Sequence, residues 1–330
     1  MNSVNHILEY LHGYKVTYLL MCAARWKLFD ELVEPSTAVQ VAERLKLNAE
    51  NTEMALDIFS GLGVILKENN LYRIEKCYQE LLTSTSERSM LPLFQLEQHL
   101  LVHHNTIQAM RDAWQYGKAG DTLNENGKEG IQKTYGQAMD NGGRLAALHT
   151  ARIFSHLNEG LILDLGGGMG TYAEAICRLN SSLRMEVYDR PEMEKVCMDH
   201  LEYSGVKDRV TFKNKNILTD PIDSPCEGIL LSNVLHLFTQ EDNKKLLKRC
   251  AQALKPGGRL VVHDFFLDEQ HTGNIPSLLF SIDWLLIGSG FHMSPRDLEL
   301  CVEDSGLEVL AVKQFDSLPT SIIVLGKKNK

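Results

Sequence analysis

The sequence predicts a doubly wound α/β domain with a largely parallel sheet, preceded by a mostly helical domain of winged-helix pattern. Three observations carry this. From Leu161 onward, strand-length apolar runs alternate with helical stretches, as they do where helices cover a parallel sheet. The first of those runs breaks into a glycine turn that opens a helix. Before them, apolar residues recur at helical spacing and lead into a short hairpin pattern. A chain of 330 residues divides naturally into two domains, here 1–100 and 101–330.

In chain order, Leu8, Leu11, Val16, Leu19, Leu20, Ala23, Trp26, Leu28 and Phe29 define a first helix buried on more than one side. Pro35-Ser36-Thr37 offers a cap for a second, carrying Val41, Ala42 and Leu45. A third runs from about Asn51, with Met54, Ala55, Ile58, Phe59 and Leu62 inward. The runs Val64–Leu66 and Leu71–Ile74 then flank a turn at Lys67–Asn70. Three helices and a hairpin make a winged-helix pattern. The segment NTEMALDIFSGLG, which would have to read DNA, is acidic and holds no Lys or Arg, so a structural or dimerising role is expected. Residues 85–155 read as polar-interrupted helices around a glycine-containing loop, Tyr116–Gly130.

The strand runs that follow are Leu161–Leu165, Arg184–Tyr188, Val210–Lys213, Gly228–Ser232 and Arg259–Val262, the last preceded by a Lys255-Pro256-Gly257-Gly258 turn. Net charge is −9, with no basic block, which disfavours nucleic acid as a partner. No run approaches the roughly 18 apolar residues of a membrane span. Seven cysteines are scattered without metal-ligand spacing, so reduced thiols in a cytoplasmic protein and no metal are expected.

Function concentrates at Leu163-Asp164-Leu165-Gly166-Gly167-Gly168-Met169-Gly170-Thr171. A glycine turn alone marks only a tight bend. Here the glycines fall at 166, 168 and 170, and Thr171 stands where a dinucleotide fingerprint has Gly or Ala. Asp164, two residues before the first glycine, is awkward beside a pyrophosphate but suits a ligand with an ammonium group and no phosphates. S-adenosylmethionine is such a ligand, and its methionyl part needs the close backbone approach that glycine permits. The next strand ends at Asp189-Arg190, roughly 20 residues beyond, where an acid can accept both ribose hydroxyls.

Over nearly its whole length the chain resembles the plant-type and bacterial small-molecule O-methyltransferases, caffeate and hydroxyindole O-methyltransferases among them. The segments that carry the likeness are AARWKLFDEL through NNLYRI, LILDLGGGMGTYAEAI, VYDRPEM and CAQALKPGGRLVVHDFFL. The resemblance implies a Rossmann-like S-adenosylmethionine-dependent methyltransferase domain, an amino-terminal domain that makes a homodimer, and a small hydroxylated aromatic or hydrophobic acceptor. It implies a histidine base after the fourth strand, which is His236 in LSNVLHLF, with Leu-Phe in place of the usual Asp-Trp. It implies a flanking carboxylate, Asp264, and a second that His292 replaces. Cofactor contacts fall to Asp164, Gly166, Gly168, Gly170, Asp189, Arg190 and Ser232, with Asn216 and Ile217 on the adenine side. The acceptor wall draws on Tyr135 and Met139, and on Phe280, Asp283, Trp284 and Ile287 from SLLFSIDWLLIGSG. His263 reads as structural or exposed. Transfer to nitrogen or carbon, or a family member that keeps the cofactor for another reaction, are the alternatives.

Overall fold

A computed structural model describes residues 3–103, 107–116, 131–270, 275–287, 293–315 and 320–328. The chain forms two compact units, one of residues 1–101 with 137–142, the other of 102–136 with 143–330.

The first unit opens with α1 (Ser3–Trp26), a 3-10 turn (Leu28–Leu32), α2 (Ala38–Leu45) and α3 (Ala49–Gly61). Thr37 caps α2 in a reciprocal capping box with Gln40, and Asn48 caps α3. The hairpin pairs β1 (Ile65–Glu68) with β2 (Leu71–Ile74). Its two-residue turn is Asn69-Asn70, both left-handed with φ of 49° and 63°, the backbone that matches strand twist and that Asn tolerates. The unit continues with α4 (Lys76–Leu82) and α5 (Leu91–His103). Leu28, Phe29, Leu32, Leu56, Phe59 and Tyr72 are buried together in its core. Most of α1 is not: Val4, Ile7, Tyr10, Leu11 and Tyr14 are all exposed.

In the second unit come α6 (Ile107–Tyr116), α7 (Ile131–Phe154), β3 (Gly160–Leu165), α8 (Thr171–Leu179), β4 (Leu183–Asp189), α9 (Pro191–Leu201), β5 (Val210–Asn214) and β6 (Cys226–Ser232). It closes with α10 (Gln240–Ala253), β7 (Leu254–Asp264), α11 (Ile275–Ile287), α12 (Pro295–Val302), β8 (Leu307–Gln314) and β9 (Ser321–Lys327). The strand order is β5-β4-β3-β6-β7-β9-β8. The first five are parallel; β9 pairs antiparallel with β7, and β8 pairs antiparallel with β9 at the edge. The order reverses between β3 and β6, and in open α/β sheets the crevice beyond the strand ends at such a point receives the ligand. Buried apolar layers lie on both faces of the sheet.

The doubly wound expectation is met, with one difference. Lys255–Gly258 is not a turn before the strand but part of β7, which starts at Leu254 and skips register between Cys226 and Gly228 on its neighbour. The extra residues bulge out at Gly257, where φ is +76°. The Tyr116–Gly130 loop lies almost entirely outside the described residues. Among the described residues no helix is long and apolar enough to cross a membrane, and all seven cysteines are free thiols, five of them buried.

Gly228 keeps β6 close to its cover. A Cβ there would stand 2.5 Å from Phe154 Cε1 and 2.6 Å from Ile162 Cδ1, and both side chains are fully buried. Gly228→Ala should therefore cost about 1–3 kcal/mol through overpacking, read as a lower urea midpoint at unchanged slope.

Candidate active site

The carboxyl ends of β3, β4 and β6 build one side of the site. Gly166, Gly168 and Gly170 all have left-handed φ, 78°, 54° and 81°, which any side chain would strain. The turn is hooked to the next strand by Gly166 N–H to the Tyr188 carbonyl (2.7 Å). Gly168 N–H donates to one Asp189 oxygen (2.8 Å) and Arg190 N–H to the other (2.7 Å). Asp189 thus fixes the loop from the end of β4, and the Arg190 backbone rather than its guanidinium takes part. A Cβ on Gly166 would meet Val234 Cγ2 at 2.7 Å, while the space over Gly168 is open.

Asp164 is fully buried, and neither carboxylate oxygen has a hydrogen-bond partner among the described residues. Burial, with the Asp189 charge adding to it, pushes its pKa up to about 7. On the neighbouring β6, Asn233 follows the strand end with φ of 54°, and its amide oxygen is also buried without a hydrogen-bond partner among the described residues. An isolated buried acceptor costs free energy unless a ligand donates to it. Three such acceptors on adjacent strand ends, beside an open glycine turn, suit a cationic ligand rich in donors. The ammonium and methionyl end of S-adenosylmethionine fits them.

Beyond β5, Lys215 N–H donates to the Asp189 carbonyl (3.0 Å). Asn216 is exposed, and its side-chain oxygen accepts from Leu218 N–H (3.0 Å). Arg249 on α10 donates to the carbonyls of Ile217 (2.9 Å), Leu218 (2.7 Å) and Asp220, pinning the segment that carries Ile217. Ser232 makes a hydrogen-bond contact with His263 Nδ1 (3.0 Å).

His236 lies in a 3-10 turn just past β6. Its Nδ1 is 2.6 Å from Asp264 Oδ1 at the end of β7. Asp264 also accepts from the backbone N–H groups of Leu235 (3.0 Å), His236 (3.4 Å) and Phe265 (2.8 Å), and the Asn243 amide holds the Leu235 carbonyl (2.9 Å). Burial alone would raise the Asp264 pKa, but the His236 ring and backbone donors outweigh it and hold the carboxyl below the usual range. The Phe265 ring stands edge-on to His236, centroids 5.9 Å apart, and tilts against Phe280 of α11 at 4.8 Å.

The structure therefore brings together His236, Asp264 and Phe280, and separately the glycines with Asp164 and Asp189. Asp283 is half-buried one turn beyond Phe280. Met139 is half-buried and belongs to the first unit. His292 and the side chains of Tyr135, Trp284 and Ile287 lie outside the described residues. Asn233 and Phe265 were not among the sequence candidates. Asn at a strand end is a known signal for left-handed backbone, whereas Phe265 had no signal beyond following Asp264.

Fold and site together define a methyltransferase dependent on S-adenosylmethionine. The family model described as O-methyltransferase domain matches residues 105–308, and the chain belongs to that O-methyltransferase family. It is similar to N,N-dimethyltransferase OxyT of Streptomyces rimosus, 26% identical over 333 residues, 98% of this chain and 96% of that one. Acetylserotonin O-methyltransferase of Homo sapiens is 24% identical over 336 residues, 96% and 95% of the two chains. The crystal structure of the human enzyme in complex with SAM aligns with a TM-score of 0.79 and 22% identity, over 100% of this chain and 99% of that chain. CalO1, a methyltransferase in calicheamicin biosynthesis with SAH bound, aligns at 0.82 with 20% identity, over 99% and 98%.

Burial of the Asp164 carboxyl makes the stability of the protein depend on pH. Its folded value lies above the ordinary 3.9 or so, so the unliganded protein loses stability as pH rises from about 4 to 7. An ammonium group favours the carboxylate, so cofactor affinity should rise over the same window. Calorimetry at about pH 6 in two buffers of different ionisation enthalpy should register release of roughly one proton per cofactor bound. Asp164→Asn should abolish the release.

Proposed function

We propose that the chain methylates a hydroxyl group of a small planar aromatic metabolite, with His236 as general base. The observation that carries this is the 2.6 Å contact between His236 Nδ1 and Asp264. A buried carboxylate can only accept, so Nδ1 carries the proton and donates, which leaves Nε2 as the acceptor. A phenol resembles tyrosine, with a pKa of about 10, and is mostly protonated at neutral pH. His236 Nε2 takes that proton, and Asp264 stabilises the imidazolium that forms without itself being protonated.

Bound S-adenosylmethionine supplies a methyl carbon already activated by its sulfonium. Asp164 and Asn233 hold its ammonium, the glycine turn gives its methionyl part room, and Asp189 accepts from the ribose. Asn216 and Ile217 lie toward the adenine. Phe265 and Phe280 offer an aromatic wall beside the base, with Asp283 next along α11. Tyr135, Trp284, Ile287 and His292 are the further acceptor candidates that the sequence offers in this unit. Holding the reacting atoms near contact contributes roughly 7–11 kcal/mol, and the proton transfer about 10²–10⁴-fold in rate. The name of one relative, acetylserotonin O-methyltransferase, supports an aromatic hydroxyl acceptor, while that of OxyT names transfer to nitrogen. Seven free thiols accord with a cytoplasmic setting.

Residues 1–100 act as a dimerising domain in this reading. Val4, Ile7, Leu11, Tyr14 and Tyr18 of α1 are exposed apolar residues at helical spacing, and a second copy of the chain covers them. Sedimentation at micromolar concentration should give twice the 37.2 kDa chain mass. A stable monomer would rule the dimer out.

His236→Ala should lower turnover by about 10²–10⁴-fold while cofactor affinity holds. The loss should shrink for acceptors acidic enough to be ionised at neutral pH, which need no base. Mass spectrometry of labelled product locates the methyl group. Label on oxygen with that dependence supports the proposal, whereas label on nitrogen with wild-type turnover in His236→Ala would point to positioning without a base.

A further inference from the structure

The strand that carries Asp264 presents His263 to the opposite face of the sheet, because side chains alternate along a strand. There the imidazole is buried in a polar cluster that the reaction does not use. Its Nδ1 lies 2.7 Å from the Tyr172 hydroxyl and 3.0 Å from Ser232 Oγ, and its Nε2 lies 2.8 Å from Thr320 Oγ1. Tyr172 also hydrogen-bonds Ser232. Burial drops the His263 pKa to about 4, so the ring is neutral at physiological pH and has one donor and one acceptor nitrogen. Nε2–H donating to Thr320, with Nδ1 accepting from a hydroxyl, satisfies it fully.

Each partner sits at a joint of the site. Tyr172 is the second residue of α8, directly after the glycine turn, and packs beside Gly143 of α7, where a Cβ would meet its ring at 3.4 Å. Ser232 ends β6, and the next residue, Asn233, donates its N–H to the His263 carbonyl (2.8 Å) while adopting left-handed backbone. Three residues later the chain reaches His236, whose ring and N–H meet Asp264 from the other face. Residues 232–236 are therefore gripped by two successive residues of one strand, His263 on one face and Asp264 on the other.

We propose that His263 is a positioning residue for methyl transfer: through Ser232, Tyr172 and its own carbonyl it sets the 232–236 turn, and so the seat of His236 on Asp264, in register with the glycine turn. A neutral ring suits this task. A charged one, one residue from the Asp264 carboxylate, would compete with His236 for that anion. The kinetic consequence rests on His236 acting as base, but the placement does not.

The test separates the two. The proton on His236 Nδ1, identified by its disappearance in His236→Ala, should give a low-field NMR signal in the wild-type protein. His263→Phe should lose or markedly shift that signal and lower kcat by about 10- to 100-fold, with KM and cofactor affinity little changed. His263→Gln, which again offers one donor and one acceptor, should restore both in part. Tyr172→Phe, which removes only one hydroxyl, provides a milder variant should His263→Phe fold poorly, and it should shift the same signal less. In the His236→Ala background His263→Phe should add no further loss of kcat. An unchanged signal in folded His263→Phe and Tyr172→Phe would overturn the positioning role. So would losses that multiply fully in the double variant. A shifted signal with wild-type turnover would leave His263 as a positioning residue and overturn the base assignment instead.

Discussion

Four hydrogen bonds converge on the carboxylate of Asp264, three from backbone N–H groups and one from His236 Nδ1. A buried, unpaired carboxylate would be strongly destabilising, so the chain around it is constrained to arrive with donors. That requirement explains the local shape: β6 ends, Asn233 turns the backbone through left-handed φ, and a 3-10 turn aims Leu235 and His236 N–H groups at one oxygen. The same carboxylate fixes the tautomer of His236. Replacing it by an amide would keep the volume but lose the preference for Nδ1–H, because an amide can donate as well as accept.

The site separates its charges by strand face and strand end. Asp264 stays ionised because donors surround it, and His263, its neighbour on the opposite face, stays neutral because burial penalises the imidazolium. Asp164, on β3, has no such donors and drifts up toward neutrality. The two buried aspartates thus differ: one is held by a histidine, and the other has no hydrogen-bond partner among the described residues.

How much of this could be read from the chain follows from which interactions are local. The glycine turn was legible because left-handed φ at 166, 168 and 170 restricts the residue type itself, and Asp189 because a strand length separates it from the glycines. His236 and Asp264 were legible as residues at strand ends, helped by resemblance. Asn233 was hidden, since an orphaned amide oxygen is a property of the packed neighbourhood and not of the residue. His263 read as structural or exposed; it is buried, and its partners, from α8, β6 and the residue before β9, were invisible in the sequence. Past Val262 the strand pattern weakens: β8 is an edge strand, mostly exposed, so it lacks the continuous apolar run that marks its buried neighbours. The left-handed bulge at Gly257 likewise mimics a turn before β7, when pairing with β6 already begins at Leu254.

The central claim is that His236, held by Asp264, presents an unprotonated Nε2 to the hydroxyl being methylated. A crystal structure of the enzyme with S-adenosylhomocysteine and its acceptor tests this most directly. The account predicts the acceptor oxygen within about 2.6–3.2 Å of His236 Nε2, with Nδ1 still on Asp264. An acceptor oxygen seated against a different proton acceptor, with His236 Nε2 turned away from it, would contradict the claim.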